Sequence, residues 1–219
     1  ESILPQFLDV FALGKSKKSR LKTIAQDVAG AYVPAFYTTD YNSDGTLSAF
    51  RPLENVPAKI IRIFLKDLSQ ASTHSAVITP HTTFGNTFLI EVGRGCPHGC
   101  RFCAAGFIYR PPRFRPVSSL ENDMKPGVSL VENIGLVGAA VSDFPDIRKL
   151  CQQFVDTKVR ISFSSLRADR LAPELLSILK QSNVKTAAIA PEAGTQRLRN
   201  AINKGITEED VLHAAAALV

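Results

Sequence analysis

The spacing of apolar side chains divides the sequence into two regimes. Over the first 35 residues, Leu4, Phe7, Leu8 and Phe11 recur at three- and four-residue intervals, which predicts one face of a helix with Gly14 as its stop. A second short helix is predicted over 21–28, ending before Gly30, and the pair is expected to pack on whatever follows. Residues 36–39 and 46–50 then flank Asn42-Ser-Asp-Gly45, a strong hairpin turn. Asp40, Asn42 and Asp44 have a superficial likeness to a calcium loop, but the remaining spacing and the terminal Glu are absent, so they read as turn residues. A further strand is predicted over 59–65. Residues 67–85, with Ser, Thr, Pro and the isolated His74 and His81, predict a connection.

From residue 86 onward, short apolar runs alternate with helical periodicity, the pattern of βαβ units. Strands are predicted at 87–92, 133–137, 159–163 and 185–189, and helices at 117–125, 145–155, 172–181 and 195–203. Pro173 suits a first helical turn, Gly205 a C′ position, and Thr207-Glu-Glu-Asp210 a cap for a last helix with an apolar tail. In 145–155, Ile147, Leu150, Cys151 and Phe154 share a face, so Cys151 reads as a small apolar core residue. Four βα units therefore follow residue 86, with the site expected at the strand C-terminal ends. An unpaired fourth strand would be an exposed edge, so either something covers it or the chain is a piece of a larger protein. The start at Glu1, with Met124 the one methionine, suggests a processed end or a cut into a longer polypeptide.

Chemistry concentrates in the loop after the first of these strands, Cys96-Pro-His-Gly-Cys100-Arg-Phe-Cys103. Three thiolates on one turn of chain can converge on a soft metal centre, and Gly93, Gly95 and Gly99 let the backbone fold tightly there. A four-iron cluster takes four thiolates, so three leave one iron open. Zinc is the competing ligand, but structural zinc sites pair two knuckles, and the remaining cysteine, Cys151, is distant. His98, inside the motif, would compete with its flanking cysteines. A disulfide is the other alternative; four cysteines without a secretory segment argue for a reducing, cytoplasmic setting.

This C-x3-C-x2-C spacing, with Phe102 directly before the last cysteine, resembles the radical S-adenosylmethionine (radical SAM) superfamily. The surrounding text, Glu91-Val-Gly-Arg-Gly-Cys96 and Phe102-Cys-Ala-Ala-Gly-Phe-Ile-Tyr-Arg110, looks most like members carrying a cobalamin-binding domain. The resemblance implies a [4Fe-4S] cluster on Cys96, Cys100 and Cys103, with the open iron chelated by the amino and carboxylate groups of SAM. One-electron reduction, from a donor such as flavodoxin or ferredoxin, then cleaves SAM to methionine and a 5′-deoxyadenosyl radical that abstracts a substrate hydrogen. The implied fold class is α/β, a partial (β/α) barrel truncated after about four βα units and preceded by a helical and hairpin segment. The implied organisation is 1–85, the tail of a cobalamin-binding-like domain plus a hairpin linker, and 86–219, the radical SAM part. Cobalamin would be bound by a region mostly absent here.

The same resemblance nominates partners for SAM at the strand ends. Phe102 would pack near the adenine. The superfamily often has Gly-Gly-Glu after its second strand, of which this chain keeps Gly138, leaving the amino group to backbone carbonyls with help from Ser142 or Asp143. Ser164, Ser165 and Arg167 offer donors to ribose or carboxylate, and Glu192 is the best candidate for a polar contact, beside Gly194. Each has a plainer alternative: Phe102 a loop anchor, Ser164 and Thr195 helix caps, Arg167 a surface ion pair, Glu192 a first-turn carboxylate.

Composition adds limits. At 219 residues and 45% hydrophobic, the chain can bury a core, and no apolar run approaches the ~20 residues that span a bilayer, so no membrane partner is expected. The net charge of +6 lies partly in 15–22, read as a solvated loop, and partly in Arg94, Arg101, Arg110, Arg113 and Arg115, which would offset the charge of a thiolate-held cluster and SAM. An enzyme acting on a small-molecule or unknown substrate is the leading reading, with cobalamin-linked methyl transfer or rearrangement as its chemistry. A methylthiotransferase-like enzyme acting on RNA is the near alternative, although those carry three further cysteines upstream and none precedes Cys96 here. A zinc-stabilised nucleic-acid-binding module is the third.

Overall fold

The computed structural model describes residues 3–13, 16–155, 157–164, 166–181, 184 and 186–219. It divides into two compact units, Glu1–Lys66 and Asp67–Val219.

In the first unit, α1 (Ile3–Ala12) and α2 (Lys17–Asp27) precede an antiparallel hairpin of β1 (Tyr37–Tyr41) and β2 (Leu47–Pro52). Ser16 starts α2, its hydroxyl accepting from the Ser19 amide. Gly14, the expected stop, lies outside the described residues. Ile24, Ala25, Val28, Val33, Phe36, Tyr37 and Val56 form the core of this unit, while Leu4, Phe7, Leu8 and Phe11 of α1 remain exposed. The hairpin turns where the sequence predicts. Gly45 has φ +80, and Asp44 accepts from the amide and hydroxyl of Thr46 at 2.9 and 2.6 Å, bonds that hold its carboxyl below the usual range. The strand expected over 59–65 does not form. Among the described residues no ladder includes this stretch, and Ile61 and Ile63 face outward.

The second unit is built on a three-stranded parallel sheet in the order β3 (Thr87–Glu91), β6 (Asn133–Val137), β7 (Arg160–Phe163). β6 is central and buried along most of its length, and Phe88 and Ile90 of β3 face the core. The expected connection over 67–85 belongs to this unit rather than to the segment before it. The Glu91 amide donates to Thr73 O at 3.0 Å and the Ser75 amide to Leu89 O at 2.9 Å, so this stretch covers the free edge of β3.

Two helices depart from the expected lengths. α4 (Val117–Leu130) runs through Pro126, because Val117, Leu120, Met124 and Gly127 form one buried stripe against the sheet. α5 (Ile147–Gln152) is shorter than 145–155, yet Leu150, Cys151 and Phe154 are buried as its periodicity requires. α6 (Pro173–Gln181) packs Leu175 and Leu179 beside Leu166. The strand expected over 185–189 is reduced, among the described residues, to one parallel bridge between Leu166 and Ile189; Lys185 lies outside them. The chain closes with α7 (Gln196–Ala201) and α8 (Glu208–Leu218). Thr207 and Asp210 form a reciprocal capping box on α8, which holds the Asp210 carboxyl below its usual range. No helix among the described residues is long and apolar enough to cross a membrane.

Candidate cofactor site on the cysteine loop

The cysteine loop leaves the C-terminal end of β3. The Val92 amide extends the ladder to Val137 O at 2.9 Å; β4 (Gly93–Arg94) then pairs antiparallel with β5 (Arg113–Phe114), closing residues 95–112 into a loop. Two glycines make it compact. Gly95 has φ +85, and a Cβ there would stand 2.3 Å from Tyr109 O. Gly106, in the short helix α3 (Ala105–Ile108), would put a Cβ 2.2 Å from His98 O. Backbone bonds then moor the loop to the turn after α7. The Arg101 amide donates to Ile202 O at 2.9 Å, its guanidinium to Ala201 O, and the Asn203 side-chain amide to Gly99 O at 2.8 Å.

Cys96 and Cys100 are buried, Cys103 is half-buried, and none is in a disulfide. Burial raises the Cys96 thiol above its ordinary range; a hydrogen bond from the His98 amide opposes this, and the charges of Asp143, Cys100 and Cys103 add to it. Among the described residues, no three His, Cys, Asp or Glu side chains yet stand close enough to hold a metal ion. The fit therefore rests on the chemistry of the donor set. Cys151 is fully buried on α5, and burial pushes its thiol up to about 12. Three soft donors on one loop, with the fourth cysteine sealed in the core, fit an iron–sulfur cluster that keeps one iron open.

Around the loop lies a rim drawn from the other strand ends. After β6, Asp143 has a 7% exposed side chain; its two oxygens lie 3.0 and 2.9 Å from His98 Nε2, and Arg170 approaches at 3.3 Å. A carboxylate only accepts, so His98 Nε2 carries the hydrogen. Ser142 Oγ accepts from the Arg167 amide at 3.3 Å, and Ser164 Oγ donates to Gly138 O at 3.2 Å; Ser164 is thus no helix cap. Ser165 lies outside the described residues. The Arg167 guanidinium forks onto Asp169 at 2.9 and 3.1 Å and reaches Lys204 O at 3.1 Å. Glu192 takes φ +66 ahead of α7 and pairs with Lys204 at 3.1 Å, while Thr195 is the cap of α7. Phe102 is 54% exposed, with Lys204 Nζ 5.8 Å from its ring centroid.

The structure thus links Phe102, Glu192 and Arg167 through Lys204, and Gly138 to Ser164. Lys204, with its side chain only 8% exposed, was not among the sequence candidates. Asn203-Lys-Gly205 reads as helix-ending chemistry, and φ values of +54 and +67 on either side of Lys204 bear out that turn while aiming the lysine at Glu192. Two arginines expected to offset cluster charge are already paired, Arg94 with Glu91 and the buried Arg115 with Asp123. A cavity of about 690 Å³, lined by Ser142, Asp169, Arg170, Asp210 and His213 among others, borders this rim but contains no cysteine.

The sequence model of the Radical SAM superfamily matches residues 90–219. The chain belongs to that superfamily. An uncharacterized protein of Methanocaldococcus jannaschii is 37% identical over 216 residues, covering 96% of this chain and 44% of the relative. The chain therefore spans less than half the length of that relative. A tRNA-2-methylthio-N(6)-dimethylallyladenosine synthase of Chloroherpeton thalassium is 22% identical over 154 residues, 65% of this chain and 34% of that one. Among solved structures, the radical SAM methyltransferase TsrM of Kitasatospora setae, with cobalamin and a [4Fe-4S] cluster bound, aligns at TM-score 0.52 and 12% identity. That alignment covers 59% of this chain and 28% of TsrM and shows a shared fold.

Proposed function

We propose that this chain carries the cluster- and SAM-binding part of a radical SAM enzyme. The observation that supports it most is the glycine-tightened loop after β3, which carries Cys96, Cys100 and Cys103 while Cys151 is sealed in the core. A cluster held by the three thiolates supplies the electron that cleaves SAM to methionine and a 5′-deoxyadenosyl radical.

The chain's own residues bind and orient. Cys96, Cys100 and Cys103 would hold the cluster. Phe102 offers an exposed ring face to the adenine. Lys204 provides a cation to the SAM carboxylate, held in place by Glu192, and the carbonyls near Gly138 with Ser164 accept from the amino group or ribose. Arg167, committed to Asp169, acts by fixing the Lys204 turn.

For the reaction, methyl transfer or rearrangement linked to cobalamin is favoured by the likeness to TsrM, with cobalamin bound outside this chain. A methylthiotransferase-like reaction on tRNA is the second reading, favoured by the Chloroherpeton relative. Both require a one-electron donor of flavodoxin or ferredoxin type, in the cytoplasm. The test is to reconstitute the protein anaerobically, reduce it with dithionite in the presence of SAM, and assay 5′-deoxyadenosine. Formation in the wild type and none in Cys100→Ala is expected. Stoichiometric zinc instead of iron would return the cysteines to a structural role.

A further inference from the structure

His98 has an attachment that no role described so far uses. Its ring is gripped across 45 residues by Asp143, with both carboxylate oxygens within 3.0 Å of Nε2. Asp143 is buried and is held in turn by Arg170 at 3.3 Å, on the turn after β7. The His98 carbonyl is also covered, since Gly106 packs against it closely enough that any side chain there would collide. Carbonyl and ring of one residue between two cysteines are both fixed, although side chains in such a loop are ordinarily free to move.

We propose that Asp143 is a positioning residue for the cysteine loop, gripping the His98 ring so that the turn between Cys96 and Cys100 is held in place. This rests on the reading of the three cysteines as cluster ligands. Outer partners orient ligands in metal sites generally. The chain of contact runs from Arg170 to Asp143 and on to the His98 ring, between Cys96 and Cys100 in the loop. It joins the ends of all three paired strands, because β3 leads into the cysteine loop, β6 into Asp143 and β7 into Arg170. Asp143 touches neither the sulfurs nor SAM in this account. It acts through His98.

A double-mutant cycle on the reconstituted protein tests this. Iron release to a chelator under anaerobic conditions and the electron paramagnetic resonance spectrum of the reduced cluster are recorded for wild type, Asp143→Ala, His98→Ala, the double variant, and Asp143→Asn. Each alanine variant is expected to release iron roughly tenfold faster, the factor a charge-assisted hydrogen bond supports, and to shift the spectrum. The double variant should be no worse than either single, since both break one linkage. Asp143→Asn keeps an acceptor for His98 Nε2 and should restore most of the retention. Additive losses, or wild-type retention and spectrum in both single variants, would overturn the proposal while leaving the cluster assignment intact. A wild type that takes up no iron would overturn the cluster assignment and this inference with it.

Discussion

Cys151 lies fully buried on α5, in the same core cluster as Leu150, Phe154 and Ile161, whereas Cys96, Cys100 and Cys103 lie on a loop moored by hydrogen bonds. The first environment is apolar and excludes charge, so its thiol stays protonated to about pH 12. The second has a histidine tethered to Asp143 and a backbone tied to Asn203. One residue type is thus sorted into packing and chemistry by what surrounds it. The sorting follows from backbone form: helical periodicity buries a sulfur among methyl groups, while a glycine-tightened loop can present several sulfurs in one direction.

The sharpest way to break the comparison is to exchange the two kinds of cysteine. Cys96→Ala, Cys100→Ala and Cys103→Ala should each abolish iron uptake on anaerobic reconstitution, measured as iron and sulfide per chain. Cys151→Ala should load normally and lose about 1–2 kcal/mol of stability from the small cavity it leaves. The reverse pattern would mean the ligands have been misassigned.

The next effect concerns the loop's shape. Gly106→Ala drives a methyl into His98 O, and the displacement should cost about 1–3 kcal/mol and lower cluster occupancy. Gly194→Ala is its control, because a Cβ there meets nothing within 4 Å and should change neither. Equal behaviour of the two variants would show that the loop is not constrained where the structure constrains it. Smaller still is the mooring by Asn203. Removing its bond to Gly99 O with Asn203→Ala should cost about 1 kcal/mol, read as faster amide hydrogen exchange confined to the loop.

A separate effect, confined to alkaline pH, is a pH dependence carried by Cys151. Its folded pKa, about 12, stands above the ordinary 9.0, so the unfolded chain loses this proton first. The stabilisation is fully present below pH 9 and falls as pH rises toward 12, by at most about 1.4 kcal/mol per pH unit. Urea unfolding at pH 8 and pH 10.5 should show the gap between wild type and Cys151→Ala narrowing at the higher pH. A gap independent of pH would contradict the buried-thiol account.

The sequence carried these features unevenly, and the reasons are physical. β6 was legible to the residue, because Ile134–Val137 carries no polar side chain and its strand is central in the sheet. The α8 capping box and the hairpin turn were legible because their chemistry is local. The expected strands over 59–65 and 185–189 carried apolar patterns, yet a strand exists only by pairing, and pattern does not reveal whether a partner comes. Lys204 and the His98–Asp143 pair were hidden for a related reason: their partners lie 12 and 45 residues away, where only the folded chain brings them together. The three cysteines stood out because their ligand spacing is written within one turn of chain.

The central claim is that these three cysteines leave an iron open to SAM, and the most direct measurement is the electron paramagnetic resonance spectrum of the dithionite-reduced, iron-loaded protein with and without SAM. The account predicts that SAM changes the spectrum, because its amino and carboxylate groups become ligands, and that the change weakens in Lys204→Ala. A fully loaded cluster whose spectrum is unaltered by SAM would contradict it.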